Sequence, residues 1–155
     1  MPTYIGISRL NRVDAKNEMF GVIGSQWATV LTPIVGTNHE VRYFGVKYST
    51  EVPVTKYWGR LSLQTVSEDQ ENLRNNVRRY RSYGIAMLLL FAPINDSQAA
   101  TNLDKIADGL RDLFRHCTAA DNVQFSRARV VDNIDPEPAW LRANVVAEFE
   151  YNQFV

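Results

Sequence analysis

The chain has 155 residues, 45% hydrophobic and 22% charged, which suits one globular domain with a core of its own. Lys plus Arg equals Asp plus Glu, 17 against 17. That balance excludes a general nucleic-acid coat, which needs a basic excess, and leaves close self-association electrostatically unopposed.

Cys117 is the single cysteine, so no disulfide can form within the chain. The fold is therefore expected to work in a reducing compartment or without help from oxidation. The start, "MPTYIGISRLNRV", lacks the apolar core of a signal peptide. The longest apolar run, Ile85–Ile94, falls short of the ~20 residues that span a bilayer. A soluble chain made in the cytoplasm is expected.

In chain order, a helical pattern begins at Asp14. Met19, Phe20, Ile23, Trp27, Val30 and Leu31 form one apolar stripe. Asn11 or Asp14 can cap its start, Gly21 and Gly24 weaken it, and "TPIVG" is expected to stop it. "EVRYFGVKYS" (40–49) and "KYWGRLSLQTV" (56–66) read as strands, the second preceded by Pro53. "SYGIAMLLLFAPI" (82–94) is apolar on both parities. That suits a central strand covered on both faces, or on one face plus a neighbouring subunit.

Residues 67–82 are charged. Glu68, Asp69 and Glu71 come first, then Arg74, Arg78, Arg79 and Arg81. The segment suits a solvated loop or strand ends that run past the sheet. It also suits a projecting arm whose two charge blocks meet a partner.

The clearest helix lies in "NDSQAATNLDKIADGLRDLFRHC", with Asn95, Asp96 or Ser97 as candidate caps. Its stripe is Leu103, Ile106, Ala107, Leu110, Leu113 and Phe114. "VQFSRARVV" (123–131) reads as a strand and "DNIDPEPA" as a turn. The last strand, "WLRANVVAEFEY", puts Leu141, Ala143, Val145, Ala147, Phe149 and Tyr151 on one face. Arg142, Asn144, Glu148 and Glu150 fall on the other. Short gaps between strands favour antiparallel pairing. The expectation is a single α+β domain over 1–155. It has a mostly antiparallel sheet of about four to five strands, with two helices packed on one face.

Little in the sequence points to catalysis. His39 and His116 are far apart, and His116 and Cys117 point about 100° apart on a helix, which does not make a dyad. No Cys/His pairs have zinc spacing, and "GVIGS" lacks the strand and spacing of a dinucleotide site. Asp132, Asp135 and Glu137 lack calcium-loop spacing. "RRYRSY" interleaves bases with aromatics as a single-strand nucleic-acid platform does, but acids stand just upstream. No catalytic residue, cofactor or metal is expected.

The C-terminal half, "YGIAMLLLFAPI", "NLDKIADGLRDLFR", "VQFSRARV" and "WLRANVVAEFEYNQF", resembles in order and texture the tail terminator family of long-tailed bacteriophages. The N-terminal helix and two strands fit more loosely. The resemblance implies a structural virion protein assembled in the host cytoplasm. Such a protein forms a ring, usually a hexamer, at the head-proximal end of the tail tube. The ring stops tube polymerisation and offers a surface for head–tail joining. Implied partners are further copies, the major tail tube protein and the head–tail connector protein. Membrane and specific nucleic-acid contacts are not implied, though DNA can pass through the ring.

Under that resemblance the candidate subunit or tube contacts are Glu68, Asp69, Glu71, Arg74, Arg78, Arg79, Arg81, Arg142, Glu148 and Glu150. Other readings are a different connector or tail-completion protein, a generic oligomeric binding module, or a small enzyme.

Overall fold

The computed structural model describes residues 12–72, 78–116, 123–132 and 139–154. Among the described residues the order is α1 (Arg12–Val35), β1 (His39–Tyr43), β2 (Tyr57–Asn72), β3 (Arg78–Pro93), α2 (Ala99–Arg115), β4 (Val123–Asp132) and β5 (Trp140–Phe154). The strands form one sheet in the order β1-β2-β3-β5-β4. The fold is α+β, with both helices on one face of a mostly antiparallel sheet.

α1 buries Met19, Ile23, Trp27 and Leu31 of the expected stripe. It stops within "TPIVG", as expected, running through Pro33 as far as Val35. It ends where Gly36 takes φ 67 and donates its N–H to the Thr32 carbonyl. That left-handed position after a helix is one glycine fills without strain. α2 buries Leu103, Ile106, Ala107, Leu110 and Phe114. α1 lies over β1 and β2, and α2 lies over β3, β5 and β4.

Three expectations need correction. β1 pairs with β2 in parallel, not antiparallel, from His39 opposite Tyr57 to Tyr43 opposite Leu61. The connection over 44–56 is long enough for the crossover that parallel pairing requires. Strand 40–49 is also shorter than its texture suggests. β1 stops at Tyr43 and Gly45 turns at φ 89, which leaves Phe44 and Val46 outside the sheet.

The third correction concerns the α2 cap. The N-cap position is Gln98, with no side-chain cap bond. Asp96 acts two residues earlier. Its Oδ1 accepts from the Gln98 N–H and its Oδ2 accepts from the Tyr57 hydroxyl at 2.6 Å. The start of β2 is thereby tied to the start of α2. Asn102 Nδ2 also donates to the Tyr57 oxygen.

The core lies between the helices and one parity of each strand. Ala86, Leu88, Leu90 and Ala92 of β3 are buried there, as are Ala143, Val145, Ala147, Phe149 and Tyr151 of β5. β1 is held to α1 by His39, whose Nδ1 accepts from Trp27 Nε1 at 3.1 Å. Nε2 therefore carries the proton and donates to Thr32 Oγ1.

Candidate assembly surface

Residues directly opposite in an antiparallel sheet share a face. Register therefore assembles the face away from the helices row by row. Trp58, Phe91 and Arg142 share one row; Arg60, Leu89 and Asn144 the next. Ser62, Met87, Val146 and Arg129 follow, then Gln64, Ile85, Glu148 and Ser126. Ser67, Tyr83, Glu150 and Gln124 come after, then Asp69, Arg81 and Asn152.

On β3 the open parity is Tyr83, Ile85, Met87, Leu89 and Phe91. A one-sided antiparallel sheet usually turns polar residues to water at such positions. Here Met87 is 41% exposed. At one end of the stripe Trp58 stacks on Phe91, with centroids 4.0 Å apart, and Trp140 meets both edge-on.

A groove of about 490 Å³ adjoins that aromatic cluster, between Trp58, Trp140 and the 44–56 connection. The connection exposes Phe44, Val46 and Val54. Arg42 lies in the groove wall, stacked over Tyr48 and bonded to the Thr50 carbonyl.

At the other end β2 and β3 run on as a ribbon, Asn72 opposite Arg78, and β5 accompanies β3 as far as Phe154 opposite Arg79. Most of 67–82 is therefore paired strand rather than loop. Glu68, Asp69 and Glu71 lie along β2, beyond the end of β1. Asp69 is opposite Arg81, and Glu71 is opposite Arg79.

Arg81 lies 3.3 Å from a Glu150 carboxylate oxygen and donates to the Tyr83 hydroxyl. That hydrogen bond first, then Glu150 and Asp69, reinforces its positive charge. Glu148 pairs with Arg127 at 3.5 Å. Arg142 stands apart at the aromatic end, opposite Phe91. Arg74 and Cys117 lie outside the described residues.

The structure thus brings Asp69, Arg81 and Glu150 together. Glu148 is one row pair away from them, and Arg142 is at the far end. Sequence reasoning missed Arg127 and Arg129. β4 bulges between Ser126 and Arg129, with Arg127 at φ 52, and a bulge re-aims side chains in a way that simple alternation cannot reveal. β2 also bulges, between Thr65 and Ser67. A second concavity of about 370 Å³ lies between the two bulges, lined by Val66, Tyr83, Ile85, Arg127, Glu148 and Glu150.

Among the described residues, no group of three or more His, Cys, Asp or Glu is placed to hold a metal ion. Among them, no helix is long and apolar enough to cross a membrane.

No protein-family model matches this sequence, and no curated protein sequence matches it. A solved structure of a protein with no stated function superposes on 84% of this chain and 94% of its own. The TM-score is 0.52 at 13% identity. At that identity the likeness concerns the fold alone.

Proposed function

We propose that this chain is a virion assembly protein of the tail terminator kind. In this reading copies form a ring on the head-proximal end of a phage tail tube. The ring halts tube growth and presents a surface to the head–tail connector. Its work is shape and contact, with no bond made or broken.

The observation that carries the reading is the open face of the sheet. Its central strand turns Tyr83, Ile85, Met87 and Leu89 away from the helices, and among the described residues no second layer covers them; Phe91, at the end of the stripe, is closed over by Trp58 and Trp140. Exposed apolar surface rimmed by charge marks association surfaces. Arg81, Glu148, Glu150 and Arg127 supply that rim. Rim charges set register and partner choice more than affinity. The order and texture of the C-terminal half, which resemble the terminator family, supply the kind of assembly.

The test is tube assembly. Tail tube protein encoded beside this gene is polymerised with and without the purified chain and imaged by electron microscopy. A terminator gives shorter tubes with a ring at one end. Unchanged tube lengths and bare ends would remove the proposal.

A further inference from the structure

The sheet has two lateral edges that differ in charge. On one side β1 covers β2 only as far as Leu61. From Ser62 to Asn72 the outer flank of β2 has no strand beside it among the described residues. That stretch bears Glu68, Asp69 and Glu71 and no cation. On the other side β4 is the outer strand. It bears Arg127 and Arg129, with one acid, Asp132, at its end.

An open edge strand is a template for another chain, and proteins often guard it with charge or a bulge. Both devices are present here. Charge that only guarded the edges would work best with one sign on both, since every pairing would then repel. The observed signs are opposite. β2 beside a second β2 sets acid against acid, and β4 beside a second β4 sets base against base. Like charges across strands destabilise such pairs. β2 beside the β4 of another copy sets acid against base.

We propose that copies of this chain associate edge to edge, the acidic edge of β2 against the basic edge of β4 in the next copy. The contact is heterologous, so it propagates from copy to copy and closes when the rotation allows. This deepens the ring reading above and rests on it for the meaning of closure. Strand direction agrees. β2 and β4 run in opposite senses within the sheet, so an unrotated neighbour meets β4 in antiparallel fashion.

β1 blocks the upper part of β2, so the neighbour must sit displaced along the strands. Closing a sheet on itself requires such a stagger. The β4 bulge limits the backbone contribution, because Arg129 holds the Arg127 carbonyl and Arg115 holds the Ala128 carbonyl. A ladder is left for the residues on either side of the bulge. Val66 on one edge and Val131 on the other, 62% and 43% exposed, add apolar contact.

The experiment compares four full-length chains by light scattering across concentration, up to the millimolar range. They are the wild type, Glu68→Lys with Asp69→Lys, Arg127→Glu with Arg129→Glu, and the chain carrying all four changes. Circular dichroism and thermal unfolding check that each is folded. The wild type is expected to self-associate, and less so as salt is raised. Each reversal alone should weaken association at least tenfold. The fourfold change should restore it, as should mixing the two singly reversed chains.

A wild type that stays monomeric overturns the proposal. So does full association of either reversed chain, or a fourfold variant no better than its parents. Tube capping is scored separately. Association by these edges without capping overturns the terminator reading alone. Capping by a reversed chain overturns the edge contact alone.

Discussion

Gly84 of β3 lies directly opposite Phe149 of β5, and the Phe149 ring fills the place a side chain at Gly84 would take. A Cβ there would collide with the ring and with the Gln64 carbonyl. The ring is 2% exposed, so it has no room to retreat. Gly84→Ala is expected to cost about 1–3 kcal/mol by overpacking. Denaturant unfolding measures it, and Phe149→Leu should recover part of the loss when combined with Gly84→Ala. A neutral Gly84→Ala would show that the ring is not confined.

Tyr57→Phe removes the hydroxyl that donates to Asp96 and accepts from Asn102. The bond is charge-assisted but its acceptor is solvated, so about 1–2 kcal/mol is expected. A pH signature separates this from packing. The Tyr57 hydroxyl first, then the Gln98 N–H, holds the Asp96 carboxyl below its ordinary range. A depressed acid contributes stability above its unfolded pKa and loses it as pH falls through the folded one. The acid limb of the stability curve should therefore be shallower in Tyr57→Phe. Parallel limbs would contradict this.

His39 acts with the same sign in a higher pH window, through its neutral form rather than its charged one. Burial first, then Lys56, pushes the imidazole below its usual value of 6.5. Its Nδ1 must stay unprotonated to accept from Trp27. For a base with a lowered folded pKa, stability is full above the unfolded pKa. It declines as pH falls below 6.5 and levels off under the folded pKa. The thermal midpoint should drop between about pH 7 and pH 5. His39→Gln should lower the starting value and flatten that part of the drop. An unchanged slope would exclude His39 as its source.

Helices and strand faces were legible because burial leaves a period in the sequence. Leu103, Ile106, Leu110 and Phe114 recur at helical spacing and are buried. Ala143, Val145, Ala147, Phe149 and Tyr151 alternate and are buried. The parallel pairing of β1 with β2 was not legible, since a connection over 44–56 does not reveal whether it crosses the sheet or turns back. The ribbon was open to several readings because Glu68–Asn72 is poor in strand-forming residues. Its pairing comes from β3, which is itself paired with β5. Arg127 and Arg129 were missed because the β4 bulge breaks the alternation.

Met87 isolates the open face from the core. It is 41% exposed and sits mid-stripe between Ser62 and Val146. Met87→Glu should change monomer stability by no more than about 0.5 kcal/mol, as for surface sites in general. It should nonetheless weaken any assembly that covers the stripe. Unfolding and light scattering on the same sample read both effects. A large stability loss would place Met87 in the monomer core, and unchanged assembly would leave the stripe facing water.

The most direct measurement is the length distribution of tail tubes grown with and without this chain, imaged end by end. A terminator shortens the tubes and leaves one end of each closed by a ring. Tubes of unchanged length with no ring at either end would contradict the account.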